Sequence, residues 1–491
     1  MDSNQIIIEI LSKWGIKLYT GVTGGGVIHF LKYLSPCNNS VPKASSFFTL
    51  AEYSAGFAPL GYYLSSGRTA ATVVTTGAAT KLVSCGLSDA KLHDIPAVYI
   101  VPVSGKSTEG FSPLQDTTQY GSNILQQLKA ELPNSVFVLN DKASLIEQLA
   151  NAKIQLEQFK PVVLILDNEG LNNNNNNNKT AYPDKPHEVK VTQNRDYDFF
   201  IKTFRQCIAH KRLLILVGEE MARYPDAVAL TSALSVQLRA GMIWSINGAN
   251  AVSRESPYGY GYVSFGGNDF ALEKLESLHQ NDVLLILGSC LDEYTINFNR
   301  LSASHIFFAG NIPNAYGLIE NSPEHAFDST YTLIQAPLNI LLQKILDAGQ
   351  QKQFENLPAE PAPQNLNHSI VAAARKEYVD MVALYRRLDT WWPPESIGFD
   401  DICLSYKDRQ YVTQRPNNNI HFYSLYRGSA MGGAFGTAIG AKLASPERSV
   451  FLFTGDGCFR LFAGSMGEVS GLGLVVFLLN NGTLGIVEQG L

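Results

Sequence analysis

At 491 residues, with 45% hydrophobic and 17% charged side chains, the chain has the length for about three globular domains with ordinary cores. A formal net charge of −6 offers no basic surface for nucleic acid, no apolar stretch approaches membrane-spanning length, and the first five residues lack the basic start of a signal peptide. Six cysteines, at positions 37, 85, 207, 290, 403 and 458, have no pairing or metal-ligand spacing and read as reduced, mostly buried thiols of a cytoplasmic protein.

In chain order, the N-terminal third shows five blocks: Thr23 to Gly26 just before His29, Ser46 to Arg68 with Glu52 as its one acidic residue, Val73 to Thr80, Gly86 to Val101, and Gly105 to Asp116. An unbroken asparagine run from Asn172 to Asn178 follows, too polar to build a core, and is expected to be a surface linker. Beyond it, apolar strand candidates at Leu213–Val217, Met242–Ser245, Val283–Leu287 and His305–Ala309 alternate with helical stretches, which indicates a parallel sheet with helical crossovers. No Gly-x-Gly-x-x-Gly follows any of these strands with an acidic residue at the expected distance, so a dinucleotide is not expected there. A second linker, rich in proline, spans Asn356 to Gln364. Gly432, Gly436 and Gly440 then recur at fourfold spacing, a pattern that suits a helix packed closely on a sheet.

The last part of the chain carries the chemistry. The apolar run from Ser449 ends in Gly455, Asp456 and Gly457, which places a carboxylate on a tight turn at the C-terminal edge of a parallel sheet, where open α/β sheets bind ligands. After a 22-residue spacer, Cys458 to Leu479, that includes one helix-length stretch, a second apolar run delivers Asn481 to the same edge. Asp456 offers Mg²⁺ a charged oxygen, Asn481 an amide oxygen and Thr483 a carbonyl, leaving octahedral positions for diphosphate and water. Glycines around Asp456 let the backbone approach phosphate closely.

Gly-Asp-Gly, a spacer and Asn-Asn, together with the N-terminal blocks in the same order, resemble the thiamine diphosphate (ThDP) enzymes that decarboxylate or ligate 2-oxoacids, the group of acetolactate synthase, pyruvate decarboxylase and benzoylformate decarboxylase. The resemblance implies that Glu52 exchanges a proton with the cofactor's pyrimidine ring and that Met431, just before a glycine, wedges between its two rings. It implies cofactor contacts from Gly24, Gly25, Thr76, Gly77, Gly455, Gly457, Cys458, Leu484 and Gly485 as well as from the metal ligands Asp456, Asn481 and Thr483. Gln115 matches an acetolactate synthase residue that faces the intermediates. His29 would border the active site, and Glu488 would be a second acid/base group. Thr23 stands where the family has proline, and the paired histidines of pyruvate decarboxylase are absent.

The expected architecture is α/β, with three doubly wound parallel-sheet domains. A pyrimidine-binding domain over 1–171 and an asparagine-rich linker over 172–190 precede a Rossmann-like domain over 191–350. A proline-rich linker over 351–370 leads to a diphosphate- and Mg-binding domain over 371–491, incomplete beside the family's longer one. The expected function is decarboxylation of a 2-oxoacid followed by ligation to a second carbonyl compound, in a cytoplasmic homodimer or homotetramer with ThDP and Mg²⁺ and without FAD. Simple decarboxylation, or a silent paralogue serving as a binding or regulatory subunit, are the alternatives.

Overall fold

The computed structural model describes residues 2–37, 45–172, 196–263, 265–318, 322–369 and 377–489. Its strands form three parallel sheets joined by helices. The first sheet contains β1 (Leu18–Gly21), β2 (Ser35–Pro36), β3 (Ser46–Thr49), β4 (Ala71–Val73), β5 (Val98–Pro102), β6 (Val136–Leu139) and β7 (Val162–Leu166), in the order β2-β3-β1-β4-β5-β7-β6. The second contains β8 (Arg212–Val217), β9 (Gly241–Trp244), β10 (Gly259–Tyr262), β11 (Asp282–Leu287), β12 (His305–Gly310) and β13 (Tyr331–Gln335), ordered β10-β9-β8-β11-β12-β13. In the third and smallest, β14 (Ser396–Asp400) pairs with β16 (Val450–Gly455), which pairs with β17 (Leu474–Leu479); β15 is Ile420–Ser424.

Continuous apolar runs become central strands because a parallel sheet is covered on both faces. In β5 and β7 every residue is buried. Alternate side chains of one strand enter separate cores: Val162, Leu164 and Leu166 pack with Ile7 and Leu11, while Val163 and Ile165 pack with Phe57 and Val83. The second sheet divides likewise, with Leu213 and Ile215 on one side and Leu214 and Leu216 on the other.

By compactness the chain forms two units. One comprises Met1–Lys190, Ile397–Cys403 and Leu425–Leu491; the other comprises Val191–Ser396 and Leu404–Ser424. In the first unit, the helices Glu52–Ser66 and Gly433–Ala444 pack against each other. A Cβ on Gly440 would stand 1.8 Å from the Ala58 carbonyl oxygen, and one on Gly61 would stand 1.7 Å from that of Thr437. Gly436 and Gly440 therefore serve a helix–helix crossing that the sequence did not indicate, while the same helix also lies against β16 of the third sheet as expected. The backbones approach so closely that neither helix has room for a side chain there.

The four expected strands of the second sheet appear within a residue of their positions, and β10 and β13 are additional. The helix-length crossover before β17 is instead a short helix, Asp456–Phe459, followed by a 3₁₀ segment, Ala463–Val469. Gly464, Gly467, Gly471 and Gly473 in this stretch disfavour a longer helix. The asparagine-rich linker lies, apart from Asn172, outside the described residues. The proline-rich segment has no helix or strand but is pinned in the second unit, with Leu357 N donating to Lys211 O and Ala359 N to Arg239 O. All six cysteines are free thiols, but three rather than most are buried. Among the described residues, no helix is long and apolar enough to cross a membrane.

Candidate functional site

Four neighbouring strands of the first sheet, β3, β1, β4 and β5, end on one edge, and the segments that follow them carry the N-terminal candidates. Glu52, after β3, is the first residue of its helix, whose N-cap is Ala51 and has no capping side chain. Its carboxylate thus lies at the positive end of a helix with unsatisfied N–H groups. The Ala51 N–H just before it donates to Glu468 Oε2 at 2.9 Å. Gly24 and Gly26, after β1, lie against Thr75 and Thr76, after β4. Thr76 Oγ1 donates to Gln115 Oε1 at 2.6 Å. Gly77 has φ 78°, and a Cβ there would stand 2.8 Å from that of Gln115, so both φ and space call for glycine. Gly25 has open space around its Cα, and His29 is exposed on a short helix, Ile28–Leu31. Gln115, Thr76, Gly77 and the glycine turn are thus brought together.

In the third sheet the register pairs Gly455 with Leu479, so Asp456 and Asn481 leave parallel neighbours at one edge. Asn481 Oδ1 accepts the Thr483 N–H at 3.1 Å, a local turn that keeps one of the two lone pairs of this oxygen in reserve. Thr483 Oγ1 donates to Glu488 Oε2 at 3.1 Å, on the helix Gly485–Gln489. A Cβ on Gly457 would stand 2.7 Å from Leu484 and 3.3 Å from Met431 Cε, so Met431, the Gly-Asp-Gly turn and Leu484 converge. Cys458 is buried and its Sγ donates to Ile402 O at 3.1 Å; what it can offer a ligand is its backbone. Burial holds that thiol well above its ordinary pKa. Among the described residues, no three His, Cys, Asp or Glu side chains cluster as metal ligands. One carboxylate, an amide oxygen and a carbonyl make an oxygen-only donor set, which suits Mg²⁺ with diphosphate supplying further ligands.

The turn bearing Met431 is held by residues that the sequence reading did not single out. Tyr53 Oη donates to the Met431 carbonyl at 2.5 Å, and Asp89 Oδ1 accepts the Gly428 N–H at 2.8 Å. Asp401 Oδ1 accepts the Gly432 N–H at 2.8 Å. Burial pushes the Asp89 carboxyl up to about 7 and that of Asp401 up to about 6, against the opposing pull of their hydrogen bonds. The one available signal was local: Asp400 and Asp401 close an apolar strand just as Asp456 does.

The second sheet has its topological switch between β8 and β11, the place for a dinucleotide diphosphate. Glu220 fills it. This side chain is buried, its Oε1 accepts the Asn311 N–H at 2.6 Å, and its Cβ lies 2.5 Å from where a Cβ on Gly288 would be. Tyr224 Oη accepts the N–H of Leu338, the first of the helix Leu338–Gln351, at 3.3 Å. The Asn311 and Leu338 N–H groups thus already have protein acceptors, and a carboxylate in that place disfavours phosphate.

Residues 1–137 match the thiamine pyrophosphate enzyme N-terminal TPP binding domain, and residues 403–490 match the corresponding C-terminal TPP binding domain. The acetolactate synthase isozyme 1 large subunit of Escherichia coli is 24% identical over 99% of this chain and 82% of its own length. Its isozyme 2 counterpart is 22% identical over 100% and 84%. The acetolactate synthase large subunit of Lactococcus lactis is 21% identical over 99% and 82%.

Proposed function

Starting from a ThDP-dependent enzyme related to acetolactate synthase, with TPP binding domains at both ends of the chain, we propose that this protein decarboxylates a 2-oxoacid and ligates the product to a second carbonyl compound. The observation that carries the reading is the register of β16 and β17, which delivers Asp456 and Asn481 to one sheet edge.

Asp456, the Asn481 amide oxygen and the Thr483 carbonyl would hold Mg²⁺, and Gly455, Gly457, Cys458, Leu484 and Gly485 would line the diphosphate. Bound ThDP supplies the electron sink that makes loss of CO₂ from a 2-oxoacid feasible. Glu52 would exchange a proton with the pyrimidine ring, which Gly24, Gly25, Thr76 and Gly77 would line. Met431 would pack against the cofactor beside the Gly-Asp-Gly turn. Gln115, oriented by the Thr76 hydroxyl, presents a neutral hydrogen-bonding group to the acceptor. His29 and Glu488 remain candidates for proton transfer. Because Glu220 occupies the switch point of the second sheet, a flavin has no part in this reading. The functional unit is a homodimer, alone or paired into a tetramer, in the cytoplasm.

Simple decarboxylation is the second reading. It is favoured by Glu488, whose carboxylate is tied to Thr483 next to the metal ligands and could protonate the product. The test is a panel of 2-oxoacids with ThDP and Mg²⁺, with and without added aldehyde or ketone acceptors, followed by product identification. Ligated product supports the proposal, free aldehyde alone moves the assignment to decarboxylation, and no CO₂ release despite bound ThDP leaves a silent paralogue.

A further inference from the structure

Asp401 is 1% exposed, and burying a carboxylate costs several kcal/mol unless donors surround it. Here they do. Oδ1 accepts from Ile402 N at 2.9 Å and from Gly432 N at 2.8 Å, and Oδ2 accepts from Thr454 Oγ1 at 2.8 Å. An ionised carboxylate is acceptor-only, so it can satisfy this whole set, whereas an asparagine would bring an N–H₂ group against one of the donors.

These donors come from separate segments with one thing in common. Gly432 directly follows Met431, and Thr454 stands two residues before Asp456. Register explains the geometry: β14 and β16 are parallel neighbours with Asp400 beside Phe453, so the next residues, Asp401 and Thr454, emerge together at the edge. One buried group therefore joins the end of β14, the Met431 turn and the Gly-Asp-Gly turn.

We propose that Asp401 is a positioning residue that fixes Met431, the ring wedge, relative to Asp456, the metal ligand. It touches neither cofactor nor substrate and acts through the Gly432 N–H and the Thr454 hydroxyl. The proposal rests on the ThDP reading given above. Without the carboxylate, the Gly432 N–H and the Thr454 hydroxyl lose their common acceptor, and the two turns can shift against each other. A small misplacement of this kind is costly wherever reacting groups must be held in line.

The test compares Asp401→Ala and Asp401→Asn with Val163→Ala, a cavity in the core of the first sheet that serves as a control for general destabilisation. Calorimetry at saturating Mg²⁺ gives the Kd for ThDP, and quenched deuterium exchange at saturating ThDP gives the rate at which the thiazolium proton is lost. In Asp401→Ala, Kd is expected to rise about tenfold and exchange to slow about tenfold, against about threefold in Asp401→Asn, which keeps an acceptor for Gly432. Val163→Ala should lower the melting temperature and leave both quantities unchanged. If Asp401→Ala does not fold, Asp401→Asn decides. Wild-type Kd and exchange in the folded variant, or the same losses in Val163→Ala, overturn the proposal while the cofactor reading stands. A wild-type protein that does not bind ThDP overturns both.

Discussion

Glu52 and Asp456 are single carboxylates with separable duties. In the proposed function Glu52 moves a proton, and Asp456 supplies the only protein charge on the metal. Glu52→Gln keeps the size of the side chain and cannot exchange a proton, so ThDP should bind with near-normal affinity while exchange of its thiazolium proton slows by roughly 10² to 10⁴. Asp456→Ala should instead abolish ThDP binding in a protein that still folds, apart from the stabilisation that bound ligand provides. Calorimetry and deuterium exchange read the two effects independently. Wild-type exchange in Glu52→Gln would remove Glu52 from its role, and unchanged affinity in Asp456→Ala would remove the clamp.

At the level of elements, the crossing of Glu52–Ser66 with Gly433–Ala444 leaves no room for side chains. Gly440→Ala would set a Cβ against backbone that cannot rotate away, and a loss of about 1–3 kcal/mol is expected, read as a lower thermal midpoint. An unchanged midpoint would mean that the two helices are not pressed together. The turn from Tyr426 to Met431 adds a pH dependence through Asp89, which faces the Gly428 N–H and the Arg427 guanidinium. Its folded pKa near 7 lies above that of an unfolded aspartate, so the stability it contributes is complete below about pH 4 and is lost as the pH rises through about 7. Asp89→Asn should therefore gain on wild type between about pH 5 and pH 8, and a constant difference in melting temperature across that range would contradict it. Much of this level was legible in the sequence, since strands, turns and the Asp456 edge are written in contiguous residues. The hydrogen bonds that hold the Met431 turn were not, because they join Tyr53, Asp89 and Asp401 to residues far along the chain. The glycine spacing was visible, but the surface it fits was not, because spacing within one helix does not name its neighbour.

For the whole molecule, Tyr53, beside Glu52, donates to the Met431 carbonyl within one chain, so each site of the proposed homodimer is expected to be complete in a single subunit. Mixing Glu52→Gln with Asp456→Ala subunits should then restore no turnover, because every subunit carries one damaged half of its own site. Recovery toward about a quarter of wild-type turnover after proven subunit exchange, as random pairing of shared sites would give, would show instead that each site is built from two chains. The first compact unit is assembled from both ends of the chain, which has a consequence during synthesis. The helix Glu52–Ser66 leaves the ribosome roughly 370 residues ahead of Gly433–Ala444, and at about 5–20 residues per second the wait is on the order of twenty seconds to over a minute. Throughout that interval the Ser54, Ala58 and Gly61 face stands uncovered on the nascent chain. Vectorial translation therefore makes the first half of this protein a long-lived client for holding chaperones, and truncated translation products should aggregate rather than fold.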